Sequence, residues 1–343
     1  MKALVWTAPE TMEYRETPEA APSAGEVLIQ VEAVGICGSE IEGYLGHNSL
    51  RVPPLVMGHE FCGRIVKLGP GAPEHLAEGQ KVVVNPLTSC GTCISCRKGH
   101  TQLCASRRIV GIHRPGAFGE RVAVPASGVV PVPEPLDAYR AALAEPLACS
   151  LRATRRAMAR HFSPNVLVFG AGGIGLLCAQ VAKLLGAERV TIADTQEERL
   201  QIARRHGADE VVNPAATDVS SFLAERLGDK GVDVVLDAAG FQPTRASALS
   251  IVNPGGTVMN IGLGIDDTTI RVNHLIRSEI EVLGSFCYTA QDFHDAVGLL
   301  AAGRITEQGW TEVRPLSEGG EAFRDLVRGK VKQGKIFLSV NGG

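Results

Sequence analysis

The chain has 343 residues, 45% hydrophobic, 21% charged and 5% aromatic, a composition that fits a soluble globular protein of about two domains. Its 37 acidic and 34 basic residues leave a formal charge of -3, which argues against a nucleic-acid binder or a membrane-surface protein held by charge. The N-terminus lacks the apolar core of a signal peptide, and the most apolar stretch, Val166 to Ala179, is too short to span a bilayer. A cytoplasmic location is therefore expected. Four of the nine cysteines lie between Cys90 and Cys104, and without a secretion signal this favours metal binding over a disulfide framework.

In chain order, Glu26–Val34 alternates apolar and polar residues, as a half-buried strand does. Gly63–Leu68, Lys81–Val84 and Glu120–Val124 are short β-branched runs punctuated by Gly and Pro, the pattern of a small β domain. The texture changes after Glu145. Leu147–Arg160 reads as helix, Val166–Phe169 as strand, Gly175–Leu185 as helix, Arg189–Ala193 as strand and Glu197–His206 as helix. Val211–Val212, Val232–Leu236, Gly256–Ile261 and Ile280–Leu283 are further strand candidates. This alternation predicts βαβ units and a parallel sheet. Ala290–Ala302 reads as helix and Lys335–Val340 as a closing strand.

The strand Val166–Phe169 runs into Gly170-Ala-Gly172-Gly-Ile-Gly175 and then an apolar helix. This strand, GxGxxG, helix order is a dinucleotide fingerprint. Gly170 permits the tight turn, Gly172 a close approach to a pyrophosphate, and Gly175 close helix–strand packing. Asp194 ends the next strand, where it can accept hydrogen bonds from ribose hydroxyls and repel a 2′-phosphate. NAD is thus favoured over NADP, although Arg199 close by can receive such a phosphate. Asp194 also fits a helix cap, and the two roles are compatible.

Cys90, Cys93, Cys96 and Cys104 have the spacing C-x2-C-x2-C-x7-C. Four thiolates can enclose one zinc ion and leave no open position, which makes a structural site. An iron–sulfur cluster is the chemical rival, but the fourth spacing and the lack of a second cluster motif disfavour it. Cys37, His59 and Glu145 offer a thiolate, an imidazole and a carboxylate, a set that suits zinc with one position open. Taken singly, each has a plainer reading as core, surface or helix cap.

Taken together, these features resemble the zinc-containing medium-chain dehydrogenases, the alcohol and polyol dehydrogenase superfamily. The resemblance spans essentially the full length. It rests on Gly58-His59-Glu60-x2-Gly63-x5-Gly69-x2-Ala72, on the four-cysteine lobe, on GAGGIG, and on Asp237–Gly240 and Asn253–Thr257 in family order. It implies an α/β protein with a GroES-like β-barrel catalytic domain (1–147 and 286–343, with a zinc lobe at 85–108) and a Rossmann doubly wound parallel-sheet domain (148–285), the active site lying in the cleft between them.

By position, the resemblance makes Cys37, His59 and Glu60 zinc ligands. Glu145, a cysteine in simple alcohol dehydrogenases, would bind the metal or hold its water. Ser39 would meet the substrate hydroxyl. Ile174, Asp194, Arg199, Gly262, Leu263, Ser285 and Phe286 would line NAD. The implied activity is interconversion of a secondary alcohol and its ketone by hydride transfer, with two zinc ions per chain, one catalytic and one structural. The chain departs from the family at Glu40, where an Asp usually supports the metal histidine, and at Glu42, where many relatives carry a relay His. The proton route is left to Glu42, His47 or water.

Ile276–Tyr288 and the H-x-x-x-R-x-P-P run from His47 to Pro54 resemble galactitol-phosphate and other sugar-alcohol dehydrogenases. The expected substrate is a polyol, sugar alcohol, sugar phosphate or sugar acid, ahead of an L-threonine-type amino alcohol. Arg51, His113, Arg114 and Arg271 are candidates for a phosphate or carboxylate, against a reading as solvated surface. A non-catalytic NAD- and zinc-binding sensor is the alternative of a different class, and the open metal site argues against it. A homodimer or homotetramer is expected, with Ile251–Gly264 apolar enough to pair as an edge. Cys62, Cys149, Cys178 and Cys287 read as packing residues, and His100 as surface.

Overall fold

The computed structural model describes residues 1–47 and 49–340. They divide into two compact units. One comprises Met1–Glu145, Thr289–Val331 and the segment from Lys335; the other comprises Pro146–Tyr288 with Lys332–Gly334.

In the first unit, strands Val129–Pro131, Lys81–Val84, Glu60–Leu68, Glu26–Gly35, Lys335–Ser339 and Thr311–Pro315 lie side by side in that order. Arg121–Pro125 also pairs with Glu26–Gly35. Glu26–Gly35 is more deeply buried than its alternating sequence predicts: Val27, Leu28, Ile29, Val31, Ala33 and Val34 are all in the core. It pairs with Glu60–Leu68 along one edge, and with Arg121–Pro125 and then Lys335–Ser339 along the other. Register shifts at Leu28/Ile29 and Val31/Ala33 turn side chains out of strict alternation.

The N-terminal hairpin of Lys2–Ala8 and Thr11–Glu16, which the sequence pattern does not reveal, forms a small sheet with Leu55–Val56. The helix Gly319–Val327 brings Phe323 into the same core. Its ring lies 5.2 Å from that of Tyr44 and meets Phe118 edge-on at 5.9 Å, arrangements that aromatic quadrupoles favour.

The second unit is built on a six-stranded parallel sheet, in the order Glu210–Val212, Arg189–Ala193, Asn165–Phe169, Val232–Asp237, Val252–Asn260, Glu281–Gly284. The chain order reverses beside Asn165–Phe169. Loops diverge at the carboxyl ends of strands flanking such a switch point, which is where open α/β sheets bind ligands. Leu167, Phe169, Val235 and Val258 belong to the core on this sheet. The expectation that Ile251–Gly264 forms an edge is corrected here. Val252–Asn260 is paired on both sides, and the edge is Glu281–Gly284, with Val282 exposed. The stretch is apolar because it is interior. Among the described residues, no helix is long and apolar enough to cross a membrane.

The loops at this sheet end are held by close backbone contact. The Asp237 carboxylate accepts from the Ala239 and Gly240 N–H groups at 3.1 and 2.9 Å, and the Asp237 carbonyl from Ile261 and Gly262. Gly240 has φ +78°, and a Cβ on it would collide with the Gly262 carbonyl oxygen. Gly240→Ala combines left-handed strain with that collision. It should cost about 2–4 kcal/mol, read as a lower denaturant midpoint, together with weaker nucleotide binding.

Candidate metal centre and nucleotide site

Cys37 follows the strand Glu26–Gly35 and caps the helix Gly38–Tyr44. His59 and Glu60 stand where the chain enters the strand Glu60–Leu68. Pairing of the two strands, with Gly35 opposite Glu60, brings these ends together. The Cys37 thiol, a His59 ring nitrogen and a Glu60 carboxylate oxygen all lie within 4.8 Å of one another. A sulfur, a nitrogen and an oxygen donor converging this way fit zinc with one position left open. Glu145, in the first turn of the helix Ala144–Met158, is buried but stands outside this cluster.

Glu40 organises the cluster. One carboxylate oxygen accepts from Gly58 N–H and His59 Nδ1, both at 2.8 Å; the other accepts from Cys37 N–H at 3.0 Å. The departure from the usual Asp is thus absorbed, because the longer side chain reaches. With Nδ1–H given to Glu40, His59 presents Nε2 to a metal. Burial pushes the Glu40 carboxyl up, but His59, Arg51 and the Cys37 N–H outweigh it and hold the group below its usual range.

The sequence reading did not find two partners of this centre. Lys335, on the closing strand, is buried and donates its Nζ to Glu60. Burial opposes its charge, yet Glu60 and Cys37 raise its pKa overall. Arg51 is neither solvated nor exposed: it is 3% accessible and bonded to Ser39. A lysine in the otherwise apolar run Lys335-Ile-Phe-Leu was the one available signal. Of the other candidate anion contacts, Arg114 binds Glu26 at 2.6 Å, His113 Nδ1 accepts from Ile109 N–H, and Arg271 is exposed.

Cys90, Cys93, Cys96 and Cys104 form a second cluster, closed at its base by pairing of Leu87–Thr88 with Arg108–Ile109. The sulfurs of Cys93 and Cys96, and of Cys90 and Cys104, are 3.5 Å apart, and those of Cys90 and Cys96 are 4.0 Å apart. Four thiolates about 2.3 Å from a tetrahedral zinc would sit about 3.8 Å from each other, so the spacing fits. N–H groups of Thr92 and Cys93 pull the Cys90 thiol down to about 6, toward the thiolate a metal needs. Cys96 in the same lobe is instead raised to about 11, by burial and its neighbouring thiols; outside the lobe, burial pushes Cys62 to about 12 and Cys178 to about 11. His100 is exposed.

In the second unit, Gly172 caps the helix Gly173–Leu184 with no side-chain bond, leaving its first N–H groups open to an anion. A Cβ on Gly172 would meet nothing within 4 Å, whereas one on Gly175 would collide with the Gly170 carbonyl. Asp194 accepts from Ala171 N–H at 2.7 Å and Gln196 N–H at 2.8 Å, which ties the glycine loop to the next strand. Ile174, Asp194 and Arg199 are half-buried, and Leu263 is exposed. Ser285 has a buried hydroxyl without a hydrogen-bond partner, and Phe286 follows it. Gly170, Asp194, Gly262, Leu263, Ser285 and Phe286 all follow carboxyl ends of parallel strands, so the structure brings these nucleotide candidates to the carboxyl end of the sheet.

Comparison with known proteins agrees with this arrangement. Residues 23–134 match the alcohol dehydrogenase GroES-like domain and residues 173–302 the zinc-binding dehydrogenase family. L-galactonate-5-dehydrogenase of Escherichia coli K12 is 32% identical over 332 residues, 96% of each chain. The chain belongs to the zinc-binding alcohol dehydrogenase family. Among solved structures, a Sinorhizobium meliloti 1021 protein described as a zinc-binding dehydrogenase and bound to NADP superposes with a TM-score of 0.92, at 31% identity over 99% of both chains. An Escherichia coli CFT073 alcohol dehydrogenase complexed with NADH gives 0.91, at 29% identity and the same coverage.

Glu60 is paired with Lys335, and a metal in this cluster would compete with the lysine for its carboxylate. Lys335→Met leaves the carboxylate buried without a counter-charge when metal is absent, at a cost of about 3–5 kcal/mol. The loss should be clearly smaller in zinc-loaded protein, where the metal compensates Glu60. Thermal unfolding with and without chelator measures both values, and equal losses would count against Glu60 as a ligand.

Proposed function

We propose that the chain is a zinc-dependent NAD(H) oxidoreductase that interconverts a secondary alcohol of a polyol or sugar acid and its ketone. The observation that carries this reading is the convergence of Cys37, His59 and Glu60 beside the Ser39 hydroxyl, whose oxygen lies 3.4 Å from Cys37 Sγ. The similarity to L-galactonate-5-dehydrogenase supports a sugar acid or polyol as substrate.

Bound metal would supply Lewis-acid polarisation of the alcohol oxygen, and bound nicotinamide the hydride acceptor. Cys37, His59 and Glu60 hold the metal; Glu145 is assigned to its water. Glu40 fixes the His59 tautomer. Ser39 accepts a hydrogen bond from the substrate hydroxyl. Glu42 lies one turn further along the same helix and is bonded to His47 at 3.2 Å, both exposed, so this pair offers the proton an exit to solvent. Cys90, Cys93, Cys96 and Cys104 hold a second metal without an open position.

Gly172 and Ile174 receive the pyrophosphate on a loop that Gly170 turns and Gly175 packs against the strand, while Gly262, Leu263, Ser285 and Phe286 border the rest of the cofactor. Asp194 accepts from the adenosine ribose and favours NAD over NADP, with Arg199 the residue that tempers the preference. The edge strand Glu281–Gly284, with Val282 exposed, supports self-association as a homodimer or homotetramer.

Zinc-replete protein should form NADH from polyols or sugar acids and hold about two zinc ions per chain. Cys37→Ser should abolish turnover and keep the lobe metal. Cys93→Ser should lose the lobe metal and lower the unfolding temperature first. Turnover confined to simple alcohols would overturn the substrate class. Asp194→Ser should move the NADP-to-NAD ratio of kcat/KM toward NADP by about tenfold or more, the size of one charge repulsion removed.

A further inference from the structure

Arg51 is a buried cation with an incomplete set of partners. Its Nη1 donates to the Ser39 carbonyl at 2.9 Å and its Nη2 to Ser39 Oγ at 3.2 Å, while its buried Nε has no hydrogen-bond partner. Among the described residues it makes no ion pair. Glu40 influences it only through space. The fold makes room for it: a Cβ on Gly43 would stand 2.6 Å from Arg51 Cδ. Burying a guanidinium without a carboxylate is costly, and here both occupied nitrogens serve a single residue.

We propose that Arg51 is a positioning residue that fixes the direction in which the Ser39 hydroxyl donates and accepts. A hydroxyl has one proton and two lone pairs. The guanidinium occupies one lone pair. The proton is directed at Cys37 Sγ, 3.4 Å away. The remaining lone pair is left for an incoming alcohol O–H. Without Arg51 the hydroxyl rotates freely, and Ser39 spends part of its time donating to the substrate rather than accepting from it. The inference rests on the assignment of Ser39 to the substrate hydroxyl.

A double-mutant cycle tests it. Arg51→Met should lower kcat about 10- to 100-fold, the range for losing a charged hydrogen bond at the reacting group, with KM little changed. In the Ser39→Ala background the same substitution should cost almost nothing more. Arg51→Lys keeps the buried charge but not the two-pronged geometry. It should show a smaller loss with the same dependence on Ser39, and it carries the test if Arg51→Met does not fold.

A readout independent of turnover is the thiolate-to-metal charge-transfer band of the cobalt-substituted protein. Losing the hydroxyl bond to Cys37 Sγ should shift that band to longer wavelength, equally in Ser39→Ala and the double variant and by a smaller amount in Arg51→Met, where the bond is kept part of the time. Costs that multiply in the double variant, with an unmoved band, would overturn the proposal and make Arg51 a purely structural residue. A fully active Ser39→Ala would instead overturn the assignment of Ser39 itself.

Discussion

The Glu40 carboxylate is the constraint on which the metal centre depends. It is fully buried and accepts from Cys37 N–H, Gly58 N–H and His59 Nδ1. These donors come from two chain segments, one ending a strand and the other leading into its neighbour. A buried carboxylate satisfied on both oxygens is held in one rotamer. Cys37 and His59 therefore share a common anchor, and their separation is set before any metal arrives. Such pre-organisation reduces the ordering cost of binding.

Around that anchor the site is a balance of buried charges. Glu60 is matched by Lys335, and Glu40 lies within the field of His59 and Arg51. Lys335 acts on Glu60 and Arg51 on Ser39. Two buried cations thus offset the negative charge of the two buried carboxylates, Glu40 and Glu60.

Much of this was legible in the sequence, for reasons specific to the residues. Lys81–Val84 and Arg189–Ala193 occupy their expected bounds because each is a short β-branched run between turn residues. GAGGIG was readable because the chemistry of close backbone approach leaves almost no substitute for glycine. The cysteine lobe was readable because all its ligands lie in one short segment. What escaped notice joins distant parts of the chain. Glu60 and Lys335 are 275 residues apart, and the bonds of Arg51 to Ser39 depend on a loop folding back over a helix. The polar sequence of Thr11–Glu16 hid a strand, since that strand is mostly exposed and pairs along one edge only. Burial of Val252–Asn260 was misread as stickiness because apolarity alone does not separate an edge strand from an interior one.

The strand carrying Lys335 inserts between Glu26–Gly35 and Thr311–Pro315, which fixes an order of assembly. The parallel sheet spans Asn165 to Gly284 and has all its strands available as soon as that stretch leaves the ribosome. The sheet of the first unit cannot close until Lys335–Ser339 has been synthesised, some three hundred residues after its central strand. During translation the parallel sheet can form while the Ala33–Gly35 end of that central strand still lacks its second neighbour. The cluster of Cys37, His59 and Glu60 thus precedes by some 275 residues the lysine that neutralises its carboxylate.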